Sequence, residues 1–491
     1  MLPVIWNGLL DILHLWMENL LFINILLSVM IVFFERREPR AVWTWLMLLY
    51  FIPILGIFLY FMIGHDFRKE HMFHTKEIED AIHSAICTQE ETIRSDNFHP
   101  ADPRLRKFSD LVLFNLEAAD AVYTADNQVE IFTDGREKFK ALYEEIQKAQ
   151  EYIHIQYYII REDELWQGLE KALIQKAREG VEVRILYDSM GCRTMGKRVW
   201  KRLSREGIQI GEFFPALLRR LQLRINYRNH RKIVVIDGRT AFVGGFNVGR
   251  EYVGLDPKFG YWRDTHLKMQ GSAVLSLHIR FILDWNYATK QNLFEEDRYF
   301  QETEGKILGR EAVQIISSGP DSKEQNIRNT YLKMISKARK NIYIQTPYFV
   351  PDESVLDAIK IAAMSGVDVR VMIPCKPDHP FVYWATYSYV GDLLEAGAKC
   401  YTYDRGFLHA KGMSVDGLVS CYGTANMDIR SFKLNFEVNA VIYSVRVSEK
   451  LEEIFREDLK HCTQITPYSY GQRSYLIRVK EQFSRLFSPL L

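Results

Sequence analysis

Apolar residues run almost unbroken through two stretches near the N-terminus and alternate with polar ones afterwards. The first stretch, residues 16–34, carries Glu18, Asn19 and Asn24. The second, residues 41–63, is cleaner and long enough to cross a bilayer core of ~30 Å. Trp43 and Trp45 stand near its start, where interfacial aromatics belong. A signal peptide is not the reading, because no basic residue precedes the first stretch and no small-residue cleavage site follows it. The pattern predicts two transmembrane helices joined by residues 35–40, although the first also fits a helix lying in the interface. Arg36, Arg37 and Arg40 in the loop are balanced by Arg68, Lys69 and Lys76 beyond the second helix, so charge bias leaves the orientation open.

Residues 65–103 are polar, with few branched apolar positions, and read as a partly helical linker. A globular body then runs from about 108 to 467. Residues 141–149 have a helical pattern and lead into a strand at 152–160. Residues 165–178 are helically spaced, Gly180 ends them, and 181–187 form another strand. This alternation predicts an α/β layer architecture. The series then recurs: helix 331–338, strand 342–344, helix 355–364 ended by Gly366, strand 367–373. IHIQ at Ile153 is answered by IYIQ at Ile342, and GVEVRIL at Gly180 by GVDVRVM at Gly366. One repeat of this length means two related halves in one chain.

Each half carries one hairpin pattern. Residues 229–247 read NHRKIVVIDGRTAFVGGFN. His230 and Lys232 share a strand face, Asp237-Gly238 signals the turn, and residues 240–243 return as a second strand. A turn centred on that pair sets Gly245 opposite His230, with Asn247 just beyond. Residues 408–426 read LHAKGMSVDGLVSCYGTAN. There His409 and Lys411 share a face, Asp416-Gly417 turns, Thr424 falls opposite His409, and Asn426 follows at the same spacing. A single match of this kind is weak, but two at equivalent places in a repeat are not accidental.

Composition narrows the function. A formal net charge of +1 over 491 residues favours neither nucleic acid nor a strongly acidic partner. The six cysteines are scattered, with no CxxC pair, and read as buried thiols rather than a zinc site or disulfide scaffold. No carboxylate cluster has metal-ligand spacing, so neither a metal nor another cofactor is expected.

The paired stretches resemble the motifs of the phospholipase D superfamily, and within it the bacterial cardiolipin synthases. The likeness rests on NYRNHRKIVVIDG at Asn226, GYWRDTHLKMQG at Gly260, TPYFVPDES at Thr346, LHAKG at Leu408 and ANMDIRSFKLNFEVNA at Ala425, with RREPR between the apolar stretches. It implies two pseudo-symmetric phospholipase D-like α/β halves sharing one active site, preceded by two transmembrane helices. The expected divisions are a membrane hairpin (1–64), a linker (65–107), a first half (108–300), a second half (301–467) and an amphipathic tail (468–491). The motif set is His230, Lys232, Asp237, His409, Lys411 and Asp416, supported by Asn247 and Asn426. Asp237 and Asp416 are read mainly as turn residues, since Asp-Gly hairpin chemistry already accounts for them. Asp264 and Glu437 stand where the superfamily carries carboxylates that orient the rings, and the resemblance implies crossed pairing: Glu437 on His230, Asp264 on His409. Gly245 and Thr424 depart from the serine often found there.

The chemistry fits such an assignment. Phosphodiester transfer needs a nucleophile, a proton donor and positive charge at the phosphoryl oxygens. Two imidazoles supply the first two, and the lysines and asparagines supply donors. The implied activity is phosphatidyl transfer between two phosphatidylglycerols, giving cardiolipin at a bacterial cell membrane, with no nucleic acid. A phospholipase D hydrolase, a phosphatidylserine synthase and a non-catalytic membrane scaffold are the alternatives. Residues 213–228 place Phe214, Leu217, Leu218, Leu221 and Ile225 at helical spacing beside four arginines, suiting either an anionic membrane surface or packing on the body. Residues 475–491 set Leu476, Val479, Phe483, Leu486, Phe487 and Leu490 on one stripe, which favours interfacial contact.

Overall fold

A computed structural model describes residues 22–34, 39–60, 76–95, 97–214, 227–300 and 308–488. The chain divides into two compact units, residues 1–70 with 216–227, and the remainder.

In the first unit the residues from Phe22 to Phe34 are helical, ending in a π-turn at Met30–Phe34, and face the helices Pro39–Phe51 and Pro53–Leu59. The break at Ile52 follows from Pro53, which disfavours helical backbone in the residue before it. Among the described residues no helix is long and apolar enough to cross a membrane; most of the first expected span's start, the loop centre and the end of the second lie outside them. Leu27, Ile31, Leu49 and Tyr60 pack inside this unit. Asn24 is also inward, donating from Nδ2 to the Leu49 carbonyl at 2.9 Å. Phe22, Leu26, Phe33, Phe51 and Ile54 face outward and are exposed.

The body is built twice over. The first half holds β1 (Thr124–Asp134), β2 (Tyr152–Tyr157), β3 (Glu182–Asp188), β4 (Gln209–Phe213), β5 (Arg228–Asn229), β6 (Ile233–Ile236), β7 (Thr240–Gly244) and β8 (Tyr261–Gln270). Its sheet runs β1-β8-β7-β6-β2-β3-β4, with β2, β3 and β4 parallel. The second half holds β9 (Glu311–Ser318), β10 (Asn341–Gln345), β11 (Phe349–Val350), β12 (Asp368–Pro374), β13 (Lys399–Tyr403), β14 (Gly406–Leu408), β15 (Gly412–Val415), β16 (Val419–Gly423), β17 (Met427–Asp428), β18 (Asn435–Tyr443) and β19 (Cys462–Ile465). Its sheet, β9-β18-β16-β15-β10-β12-β13-β19, repeats the first order and adds one strand. Strands β2, β6 and β7 are buried along their whole length; β6 is a continuous apolar run, whereas β2 buries His154 and Gln156 with polar partners.

The sheets meet through a shared apolar layer. Val235, Val243 and Leu267 of the first half pack with Val313, Val438, Ala440 and Ile442 of the second and with the helix Ala273–Thr289. Helices begin earlier than their apolar spacing predicts, because side-chain caps extend them. Asp134 accepts the Arg136 N–H before Gly135–Lys148, and Asp163 accepts those of Leu165 and Trp166 before Glu164–Arg178. Two expected boundaries also move. The polar stretch 65–107 contains the helix Lys76–Arg94, and Gln89 exchanges two hydrogen bonds with the backbone of Tyr123. Leu105, placed by sequence in the linker, and Phe108, Leu111 and Val112, placed in the first half, pack in the core of the second. Gln314 of β9 fixes them there by donating to the carbonyls of Val112 and Ala121.

The hairpins form where expected, with the register one residue off. Ile236 pairs with Thr240, and Val415 with Val419. Asp237 and Gly238 both have positive φ, and the Arg239 N–H closes on Ile236 O, leaving Arg239 as an additional loop residue. Gly245 therefore does not stand opposite His230 through the hairpin ladder. The aspartates do more than turn the chain. Asp237 accepts the N–H groups of Gln150, Glu151 and Tyr152 at 2.8–2.9 Å. Asp416 accepts those of Arg339, Lys340 and Asn341, together with Lys107 Nζ at 2.7 Å. Each ties its hairpin tip to the helix-to-strand joint leading into the central strand of its half.

Asp237→Ala is expected to lower the unfolding free energy by about 3 kcal/mol, since three amides lose a charged acceptor. Urea unfolding checks this, and turnover per folded molecule should survive. Full stability with lost turnover would return Asp237 to the chemistry.

Candidate active site

Two short parallel pairings bring the halves together. β5 lies beside the start of β18, with Asn229 opposite Phe436. The next residue, His230, donates its N–H to Phe436 O at 2.9 Å. In the other half β14 lies beside the start of β8, with Leu408 opposite Arg263, and the His409 N–H reaches Arg263 O at 2.7 Å. Each histidine thus leaves a strand paired with the other half, immediately before that half's carboxylate.

The rings are held accordingly. His230 Nδ1 lies 2.9 Å from Glu437 Oε1, and His409 Nδ1 lies 2.6 Å from Asp264 Oδ2. Lys411 Nζ is also 2.8 Å from His409 Nδ1. His409 Nδ1 carries the ring proton and donates it to Asp264, because a carboxylate only accepts and Lys411 has its own acceptor in His409 O at 2.5 Å. With Nδ1 occupied, Nε2 is left for the cavity that both rings line. Lys232 Nζ likewise donates to His230 O at 2.7 Å.

Burial governs protonation here. It drives both imidazoles down to about 4, with Lys411 adding to the fall of His409 and Glu437 and Asp264 opposing it. Burial lowers Lys411 to about 8 and holds Lys232 well below its ordinary value, against the pull of both carboxylates. Burial alone would raise Asp264, but Lys411 and His409 outweigh it and hold the carboxyl below its ordinary value.

The two carboxylates are supported differently. Thr424 Oγ1 donates to Glu437 Oε2 at 2.6 Å, and Asn435 Nδ2 to Oε1 at 3.2 Å. Asp264 takes the Thr265 N–H at 2.8 Å and lies 3.4 Å from Trp262 Nε1. Gly245 has no hydroxyl to offer, and a Cβ there would stand 1.9 Å from Asp264 Oδ1. The glycine is a packing requirement: the shorter carboxylate occupies the space of the missing side chain.

The asparagines also border the cavity, but their amides are engaged. Asn247 Nδ2 donates to Tyr252 Oη at 3.2 Å, and Asn426 Nδ2 to Asp428 at 3.1 Å. Asp237 and Asp416 do not line it; they sit at the hairpin tips already described. Tyr158 and Trp262 were not singled out from sequence. They pack on His230 and His409 with ring centroids 4.9 Å away in each case. Arg228 and Arg430 were also passed over as wall residues, although both lie inside strings that carry the family resemblance. The cavity measures about 1120 Å³. Among the described residues no cluster of histidine, cysteine or carboxylate side chains could hold a metal ion.

Comparison with known proteins agrees with this geometry. A family described as "Cardiolipin synthase, PLD-like domain" matches residues 142–256 and 331–459, and one described as "Phospholipase_D-nuclease N-terminal" matches 22–65. The chain is 50% identical to the major cardiolipin synthase ClsA of Bacillus subtilis over 476 residues, 96% of this chain and 98% of that protein. It is 49% identical to the cardiolipin synthase of Oceanobacillus iheyensis over 96% of this chain and 97% of that one. The crystal structure of phosphatidylserine synthase from Haemophilus influenzae superposes with a TM-score of 0.60 at 14% identity, covering 78% of this chain and all of the other, which shows a shared fold.

Gly245→Ser should cost turnover at least tenfold, since about 1.4 kcal/mol of misplaced carboxylate suffices for that factor. Thr424→Ser keeps a hydroxyl on Glu437 and should stay close to the unsubstituted rate, whereas Thr424→Val should not. Equal rates for Gly245→Ser and Thr424→Ser would remove the asymmetry.

Proposed function

Because the chain belongs to the bacterial cardiolipin synthases of the phospholipase D superfamily, we propose that it transfers a phosphatidyl group from one phosphatidylglycerol to another through His230 and His409. The observation that carries this reading is the pair of crossed histidine–carboxylate contacts at one cavity.

His230 Nε2 attacks the phosphodiester of the first lipid. The bond to glycerol breaks, and His409 gives its proton to the departing alkoxide. Phosphatidyl-His230 remains. His409, now neutral, takes the proton from a hydroxyl of the second phosphatidylglycerol, whose oxygen attacks phosphorus and frees His230. Cardiolipin and glycerol are the products. Lys232 and Lys411 donate to the phosphoryl oxygens.

Charge supports one proton being on the histidine pair during this cycle. Burial keeps both rings neutral before substrate enters. A phosphodiester adds one negative charge, which favours protonating one ring. The general acid is then charged by the substrate it serves.

The lipid is met at a bacterial cell membrane. The residues around the two apolar stretches form a two-span hairpin there, supported by the outward face of Phe22, Leu26, Phe33, Phe51 and Ile54. The helix Tyr475–Leu486 provides a second contact. Its polar side is the one packed on the body: Glu481 is buried against Arg473, and Arg485 reaches Asp392 of the helix Pro380–Glu395. Its apolar side is outward, with Leu476 71% and Leu486 76% exposed. Lys480 lies beside it, over Trp384. An apolar stripe flanked by bases suits an anionic interface. Leu490 of the expected stripe and residues 215–226 of the other basic segment lie outside the described residues.

Incubating the purified protein with labelled phosphatidylglycerol alone should yield cardiolipin and free glycerol. Phosphatidic acid as sole product would make the enzyme a hydrolase. His230→Ala and His409→Ala should each abolish turnover, and acid-labile label trapped on His409 instead of His230 would reverse their roles.

Leu476→Ser combined with Leu486→Ser should reduce sedimentation with phosphatidylglycerol vesicles, because each removes roughly 2 kcal/mol of apolar transfer. Unaltered sedimentation in a protein lacking residues 1–64 would exclude the helix as a contact.

A further inference from the structure

Tyr252 stands in the cavity wall and has no part in the transfer steps above. It belongs to the short helical turn Arg250–Val253. That turn is seated on the start of the helix Gly135–Lys148. A Cβ at Gly135 would lie 1.9 Å from Tyr252 O, and Arg136 Nε reaches Val253 O at 3.1 Å. Tyr252 is 3% exposed. Its ring centroid is 4.7 Å from that of Trp262 and 6.4 Å from that of His409. The residue comes from the half that carries His230 and lies beside the ring of the other half.

Two hydrogen bonds in series direct its hydroxyl. The Ile159 N–H donates to Asn247 Oδ1 at 3.1 Å, which fixes the orientation of that amide, since a backbone N–H needs an oxygen. Asn247 Nδ2 then donates to Tyr252 Oη at 3.2 Å. The phenol oxygen is the acceptor in this contact, so its own proton points elsewhere. Among the described residues none accepts that proton. The carboxylates around it are engaged: Glu251 with Arg161, and Asp264 with His409 and the Thr265 N–H. Burial holds the hydroxyl well above its ordinary value, so it remains a donor at neutral pH. A buried donor without an acceptor is costly, and this one borders the space that an anionic phosphodiester enters. The second half is arranged differently. There the matching amide of Asn426 goes to the Asp428 carboxylate, which has no proton to pass on while ionised.

We propose that Tyr252 is a catalytic residue whose O–H donates to a non-bridging oxygen of the phosphoryl group as that group passes between His230 and His409, and that Asn247 is a positioning residue acting through it. The role rests on the transfer reading and adds a donor to it. The function that the sequence suggests for the Asn247 amide is thus carried by the phenol that the amide holds. A hydroxyl directed in advance needs no reorientation when charge shifts on the phosphoryl oxygens, and that is where such a donor is most effective.

Turnover is read on the full-length protein in phosphatidylglycerol micelles, as glycerol release and cardiolipin formation. Tyr252→Phe should lower kcat about a hundredfold with KM nearly unchanged, as for loss of one donor that acts in the transition state. Loosened packing would not discriminate between the two non-bridging oxygens. A second readout therefore replaces each in turn with sulfur, the weaker acceptor. In the unsubstituted protein one phosphorothioate diastereomer should react roughly tenfold more slowly than the other, and Tyr252→Phe should shrink that difference. Adding Asn247→Ala to Tyr252→Phe should lower the rate little further, because the amide acts through the hydroxyl. Asn247→Ala alone leaves the hydroxyl undirected and should shrink the difference too, which keeps the test decisive if Tyr252→Phe does not fold. An unaltered rate in Tyr252→Phe would overturn the assignment. So would additive losses, or a sulfur effect that is absent at the outset or indifferent to both substitutions. If the unsubstituted protein forms no cardiolipin, the transfer reading itself falls; if it forms cardiolipin and the sulfur effect ignores Tyr252, only the role of the hydroxyl falls.

Discussion

The rings of His230 and His409 are each held by a carboxylate from the opposite half, and the packing of the body makes that exchange possible. Glu437 is buried and meets His230; Asp264 is buried and meets His409. A buried carboxylate without a partner would be costly, so neither half is electrostatically complete alone. The apolar layer between the sheets, from Val235 to Ile442, fixes the distance over which the exchange occurs. The parallel pairings of β5 with β18 and β14 with β8 then fix the direction. Separate halves would leave each His beside backbone that no longer presents its carboxylate.

The exchange is symmetric in topology and unequal in chemistry. Glu437 is one methylene longer than Asp264, and it spans a position where Thr424 supplies a hydroxyl. Asp264 is shorter and presses onto Gly245, where no side chain fits. The substituents are therefore matched pairs: long carboxylate with threonine, short carboxylate with glycine. A hydroxyl donating to Glu437 stabilises its charge and competes with His230 for it. Lys411 close to Nδ1 of His409 does the corresponding work on the other ring. Two rings with different surroundings are what a cycle needs when one forms a bond to phosphorus and the other moves protons.

Much of this arrangement was legible in the chain. The repeated letters around IHIQ and GVEVRIL located the duplicated strands, because buried parallel strands are continuous apolar runs. The motif spacing located both histidines and both lysines, and the family resemblance supplied the crossed carboxylates. The hairpin register was not legible to the residue, because Asp-Gly fixes the turn but not the extra loop residue at Arg239. Nor was the second purpose of Asp237 and Asp416, since the N–H groups that donate to them lie at a helix-to-strand joint far away in sequence. Residues 108–121 were placed with the first half although they pack on the second, for the same reason: apolar spacing says that a helix is buried, not against which sheet. Arg228 was read as one of four arginines on a basic segment and Arg430 was not singled out, because only folding brings residues 228 and 430 to the cavity.

The cavity and the outer surfaces divide the lipid between them. The rings, asparagines and arginines that line the cavity are polar, and its volume of about 1120 Å³ slightly exceeds that of a pocket for one drug-sized ligand. Such a space suits two headgroups joined through glycerol and does not suit acyl chains, which would strip water from charged groups without replacing it. On the proposed reading the chains stay in the bilayer while the headgroups enter, and Leu476, Phe483 and Leu486 offer apolar surface on the outside of the protein. The helix bearing them is seated through its charged side, an inversion of the usual amphipathic arrangement in a soluble protein. The helix Pro380–Glu395 beneath it contributes Val382 to the cavity wall, so one rigid element links the apolar stripe to the site of chemistry.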